Sequence, residues 1–186
     1  LRVSLVQGET RWHDPAGNRD YYGHLIAPLH GTTDLVVLPE TFTSGFSNDA
    51  IGSAETMDGP TVAWMREQAA RLGAAVTGSV QLRSGEGVFN RLLFATPDGE
   101  LHSYDKRHLF RYANEHERYA AGRERLTVEW KGWRICPQVC NARLAMSSAP
   151  RDSMRLAMAS SWGAVMLEIG RGTRAGNTSA SRRRIT

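Results

Sequence analysis

The sequence has only two cysteines, Cys136 and Cys140, spaced four apart. That spacing suggests neither a disulfide framework nor a four-ligand zinc site. It suits a reducing, cytoplasmic setting, where a single well-placed thiol can serve as a nucleophile. Long apolar runs are missing as well. No stretch approaches the length that crosses a bilayer, so no membrane partner is expected. The opening residues, LRVSLVQGE, lack the charged start, apolar segment and small-residue cleavage site of a secretion signal. The six histidines, His13, His24, His30, His102, His108 and His116, show no paired-ligand spacing, and H-E-x-x-H does not occur, so no metal is expected. The phosphate-cradling G-x-x-x-x-G-K-S/T is likewise absent, and Gly85-Glu86-Gly87 reads as a turn.

Charge of one sign is also in short supply outside the end of the chain. The formal net charge is +4, but five arginines, Arg171, Arg174, Arg182, Arg183 and Arg184, fall within the last sixteen residues. The body is near neutral without them, which implies no nucleic-acid face. No bound cofactor is indicated by any motif.

What is present fits one globular unit. The chain has 186 residues, 41% of them hydrophobic and 23% charged, enough for a real core. Residues 2–7 alternate apolar and polar and predict a strand. Residues 18–29 carry Tyr21, Tyr22, Leu25, Ile26 and Leu29 at helical spacing, with Gly31 near the end. Residues 35–38 predict a second strand, apolar on both faces. Residues 61–72 predict a helix with Val62, Met65, Ala69 and Leu72 on one face, preceded by Pro60 and stopped by Gly73. Residues 74–81, 90–96 and 100–104 predict further strands, the last two joined by the turn Pro97-Asp98-Gly99. Residues 128–134 and 135–139 read as extended, split by Lys131-Gly132. This order predicts an α/β fold with a layered sheet.

Chemistry gathers at strand ends in such folds. Glu40 follows the apolar run 35–38, Lys106 follows the hairpin strand, and Cys140 follows the apolar stretch 135–139. A carboxylate in an apolar pocket gains basicity and can deprotonate a thiol. An ammonium beside them can hold the oxyanion of a tetrahedral intermediate. The three types together suit amide hydrolysis.

Four stretches, "VVLPETFTSGF", "YDKRHLF", "NEHERYAAG" and "ICPQVC", occur in the order that resembles the nitrilase superfamily of carbon–nitrogen hydrolases, and within it the bacterial ω-amidase branch. The resemblance covers residues 1–140, expected to be the N-terminal part of the hydrolase domain. It implies an α-β-β-α sandwich. It also implies Glu40 as general base, Lys106 as its lysine, Cys140 as nucleophile and Glu115, rather than Glu117, as the second glutamate. Phe46, Tyr112 and Asn141 are expected at the substrate, Asn141 through the N–H that follows the cysteine. Phe42 is weighed as a further pocket residue against a place in the core. The implied substrates are small ω-monoamides of dicarboxylic acids such as α-ketoglutaramate, cleaved through a thioester with release of ammonia. A homodimer is expected on the same ground.

The pattern breaks after Cys140. The family continues with a Tyr-Asp-Leu-Arg-Phe-Pro-like run, whereas this chain has Asn141-Ala142-Arg143-Leu144-Ala145-Met146. Residues 141–186 are therefore expected to be a divergent tail. A short helix is predicted near 153–160 and disorder over 174–186, and much of the sandwich's second half is expected to be lacking. An altered reading frame near residue 140 and an incomplete account of a longer chain remain the two explanations. The alternative function is a catalytically inactive family fragment that acts, if at all, by self-association.

Overall fold

The computed structural model describes residues 1–85, 87–140, 154–159 and 164–171. Its first sheet begins with β1 (Val3–Leu5), β2 (Leu35–Val37) and β3 (Ala75–Ser84), each parallel to the next. Parallel neighbours need long crossovers, and two helices supply them. These are α1 (Pro15–Ile26) and α2 (Pro60–Leu72). Asp14 caps α1 by accepting the Gly17 N–H at 2.9 Å, which satisfies an otherwise orphaned donor. α2 starts on Pro60 and ends where Gly73 turns left-handed at φ +64°, the conformation that costs glycine least.

β3 then turns back into β4 (Gly87–Ala95), and β4 into β5 (Leu101–Asp105), both antiparallel. Period-two alternation in β2 explains how so apolar a run is used. Val36 and the following Leu38 face α1 and α2, in a core with Tyr22, Ile26, Val62, Met65, Ala69 and Leu72. Leu35 and Val37 face the other way, into a second core with Leu92, Phe94 and Tyr104. A central strand buried on both sides should read as continuously apolar, and this one does.

The second core is closed by another sheet, β6 (Val128–Trp130), β7 (Trp133–Cys140), β8 (Met154–Ala159) and β9 (Ala164–Arg171), arranged β6-β7-β9-β8 and antiparallel throughout. Val128, Ile135, Val139, Val165, Leu167 and Ile169 turn inward onto the first sheet. Lys131 and Gly132, both at positive φ (+49° and +77°), make the tight β6–β7 turn. The described residues thus give a helix layer on two stacked sheets.

One expectation fails here. The helix expected near 153–160 is not formed by its described residues: Met154 to Ala159 are the strand β8, paired in register with β9 from Met154↔Ile169 to Ala159↔Ala164. In "MRLAMA" apolar residues at every second place fit a strand as well as a helix turn, and the β9 partner decides it. Part of the expected tail therefore belongs to the second sheet, while residues 174–186 lie outside the described residues.

Candidate active site

The chain leaves β2 through Leu38 and Pro39, then bends sharply at Glu40. Thr41 is left-handed, with φ +46°, although it is not a glycine. Such a conformation costs on the order of 1–2 kcal/mol and must be held by its surroundings. The Thr41 N–H donates to Ser79 Oγ at 2.9 Å and the Phe42 N–H to the Ser79 carbonyl at 3.2 Å. Beside this bend β3 carries Gly78, where a Cβ would stand 2.8 Å from the Leu38 Cβ. The bend needs that bare backbone.

Lys106 comes directly after β5, whose last residue, Asp105, is gripped by Arg91 at 2.6 and 2.9 Å. Lys106 donates its own N–H to the Asn90 carbonyl and accepts the Gly122 N–H, each at 2.9 Å. At Gly122 a Cβ would lie 2.2 Å from the Asp105 carbonyl oxygen, so the stretch Ala120-Ala121-Gly122 can pass this close only with glycine at its end. Glu115 opens the short helix α3 (Glu115–Arg118), and its Oε2 accepts the Phe110 N–H at 2.6 Å.

These three segments meet in one buried cluster. Lys106 Nζ lies 2.8 Å from Glu40 Oε1, and 3.1 and 3.0 Å from Glu115 Oε1 and Oε2. Glu40, Lys106 and Glu115 are 5%, 1% and 0% exposed. Two carboxylates against one ammonium leave one excess negative charge away from water. Burial accordingly pushes the Glu40 carboxyl above its ordinary range, with the Lys106 charge opposing and the Glu115 charge adding to the rise. Burial alone would lower the Lys106 ammonium, but Glu40 and Glu115 together outweigh it and hold it above its usual value. The cluster is a place where one further proton is welcome.

The two carboxylates are not equivalent. Both oxygens of Glu115 have donors, from Lys106 and from the Phe110 N–H. On Glu40 only Oε1 is satisfied; Oε2 is buried and has no hydrogen-bond partner among the described residues. A buried acceptor without a donor is costly, and here it is the natural landing place for a proton.

Residues 2–150 match the carbon–nitrogen hydrolase family. The chain belongs to this family. Over 140 residues the chain is 44% identical to the omega-amidase YafV of Escherichia coli (strain K12), a match covering 75% of this chain and 54% of that one. It is 28% identical over 141 residues to the 2-oxoglutaramate amidase of Bacillus subtilis (strain 168), covering 74% and 54%. Among solved structures it resembles a CN-hydrolase superfamily protein of Xanthomonas campestris that carries an arsenic adduct in its active site. That match has a TM-score of 0.74 and 80% identity, and covers 74% of this chain and 52% of that one. The chain spans about half the length of these relatives. The two-layered sheet and its helices are the nitrilase-type fold expected from the motifs.

Of the residues singled out in the sequence, the fold brings Glu40, Lys106, Glu115 and Phe46 together. The Phe46 ring centroid is 5.3 Å from Lys106 Nζ and 6.4 Å from the Phe110 ring. Glu117 is exposed. Phe42 is fully buried between Tyr22 and Trp64, so it packs the core rather than the site. Cys140 is the last residue of β7, opposite Ala164, and its side chain is not described. The same holds for the side chain of Tyr112, which sits in the turn Arg111–Ala113. Asn141 lies outside the described residues.

Sequence reasoning missed Asn90, on β4, whose Nδ2 donates to Glu40 Oε1 at 2.7 Å. It also missed Gln81, which donates to the Ser47 carbonyl and to the Tyr119 hydroxyl beneath the Glu40 loop. Burial and the Glu115 charge push the Tyr119 phenol far up, so it stays neutral. Read singly, each is a polar residue of a strand with no spacing signal. Among the described residues no cluster of three or more metal-ligating side chains occurs, and no helix is long and apolar enough to cross a membrane.

Proposed function

We propose that this chain carries the acid–base machinery of an amidase that hydrolyses the terminal amide of small ω-monoamides of dicarboxylic acids, α-ketoglutaramate being the first to try. The observation that carries the reading is the half-satisfied Glu40: one oxygen held by Lys106, the other buried and open. The names of the omega-amidase and 2-oxoglutaramate amidase relatives support the substrate class.

In this reading the Cys140 thiol gives its proton to Glu40 Oε2, and the sulfur attacks the amide carbonyl carbon. Lys106 has three N–H bonds; Glu40 takes one, Glu115 another, and the third faces the developing oxyanion. Glu40 returns the proton to the amide nitrogen as the carbon–nitrogen bond breaks, and ammonia leaves a thioester. Water then gives a proton to Glu40, attacks the thioester carbonyl and releases the acid, while the sulfur recovers its proton. Amide plus water becomes carboxylic acid plus ammonia. The chain is taken to work as a cytoplasmic homodimer, with Tyr112 and Asn141 at the substrate.

The test is ammonia release from α-ketoglutaramate by the wild-type chain and by Cys140→Ala. Turnover that vanishes in the variant supports the reading; turnover that survives it overturns the mechanism. A second reading, an inactive family member, is favoured by the departure from the Tyr-Asp-Leu-Arg-Phe-Pro-like run after Cys140. It predicts no ammonia from either protein, and a large assembly on sizing chromatography.

A further inference from the structure

Asn90 is 1% exposed and polar, on a strand that otherwise packs apolar side chains inward. Its Nδ2 donates to Glu40 Oε1 at 2.7 Å and lies 3.4 Å from Glu115 Oε1, while its carbonyl oxygen on the backbone accepts the Lys106 N–H. It therefore touches all three charged members of the cluster. The orientation of its amide is settled by chemistry: reversed, Oδ1 would face two carboxylate oxygens, acceptor against acceptor. As it stands, Oδ1 is buried with no hydrogen-bond partner among the described residues.

A carboxylate rotates through a broad terminal torsion, and one donor does not fix it. Glu40 Oε1 has two, Lys106 at 2.8 Å and Asn90 at 2.7 Å. Two donors on one oxygen draw charge towards it and make it the poorer proton acceptor. The other oxygen is thereby left both open and the more basic. We propose that Asn90 is a positioning residue: it pins Glu40 so that Oε2, and not Oε1, receives the proton. This rests on the reading of Glu40 as the base for Cys140.

The groups facing Glu40 are Lys106 after β5, Glu115 on α3, Asn90 on β4 and the neutral Tyr119 after α3. Asn90 is the only one of these whose removal changes no formal charge near the carboxylate while taking away a donor to it. Losing that donor raises the Glu40 carboxyl further, in line with the sense in which Asn90 acts on it.

The experiment follows the rate of Cys140 alkylation by iodoacetamide against pH, with the site of modification assigned by peptide mass so that Cys136 is read separately. Wild type, Glu40→Gln, Asn90→Leu and Asn90→Ala are compared, each with its melting temperature. In the wild type the profile has a midpoint that disappears in Glu40→Gln. Asn90→Leu moves that midpoint up by about one pH unit, so that alkylation below it is roughly tenfold slower. Asn90→Ala, which removes the same donor without adding charge, moves it as far, and it carries the test should Asn90→Leu fail to melt cooperatively. A merely structural role lowers the melting temperature and leaves the midpoint in place, and that result overturns the inference. If instead Glu40→Gln leaves the wild-type profile untouched, the catalytic reading itself is lost, an outcome distinct from the first.

Discussion

The two sheets use the same alternation of apolar side chains to different ends. The five-stranded sheet is covered on both faces, by α1 and α2 on one and by the second sheet on the other. The four-stranded sheet is covered on one face, and among the described residues no helix lies on the other. Among the described residues, the buried charged groups differ in the same sense. Glu40, Asn90, Lys106 and Glu115 all belong to the first sheet or to the loops and short helix that leave its ends, where burial keeps water off them. The second sheet contributes β7, which ends at Cys140. The carboxylates and the ammonium thus come from one sheet, and the cysteine of the proposed mechanism ends a strand of the other. The lesson is that the inter-sheet core, Leu35, Val37, Leu92 and Phe94 against Ile135, Val139, Leu167 and Ile169, is what holds the two parts of the proposed site in one unit.

The sharpest way to break the first sheet's side of this comparison is Lys106→Met. It leaves Glu40 and Glu115 buried without their counter-charge, and urea unfolding should show a loss of about 3–5 kcal/mol. Next comes Ile135→Ala, at a position fully buried between the sheets. Its expected cost is about 2–4 kcal/mol in the same measurement. A negligible cost would mean that the second sheet does not share the first one's cooperative unit.

Glu40→Gln acts through pH. The Glu40 carboxyl titrates higher in the folded chain than in the unfolded one. Its contribution is therefore full below the ordinary carboxylate range and is lost as pH rises through the raised value. Urea unfolding of the wild type across that window should show this decline, and Glu40→Gln should lack it. The smallest effect belongs to the polar tie between the sheets. Asp34, before β2, takes Arg2 Nη2 at 3.1 Å and Lys131 Nζ at 2.8 Å, and its carbonyl accepts the Trp130 Nε1–H at 2.9 Å. The hydrogen bond from Arg2, then that from Lys131, holds the Asp34 carboxyl well below its usual range. Its stabilising share is present above the ordinary aspartate range and lost as pH falls. Asp34→Asn should thus weaken the chain slightly at neutral pH, with a gap from wild type that closes on acidification.

Much of this was legible in the residues. The strand 35–38 announced burial on both faces, and Pro60 with Gly73 announced the ends of α2. The order of strands put Glu40 and Lys106 just past strand ends, where the structure has them, whereas Glu115 opens the short helix α3. What stayed hidden had physical reasons. Asn90 opens the stretch NRLLFAT, where a polar side chain reads as solvent-facing until its carboxylate partners, brought from 50 and 25 residues away, are seen. The β8 run was too short for its period to separate strand from helix without β9 beside it. The short helix α3 has no apolar stripe at all, being four residues that serve to hold Glu115 inward.

Whether Glu40 is the proton acceptor for Cys140 is read most directly from the ratio of iodoacetamide reactivity at Cys140 to that at half-buried Cys136 in one chain at neutral pH. The prediction is a Cys140 rate that falls at least tenfold in Glu40→Gln while Cys136 is unchanged, a differential of about 1.4 kcal/mol. Equal rates at Cys140 in the two proteins would contradict it.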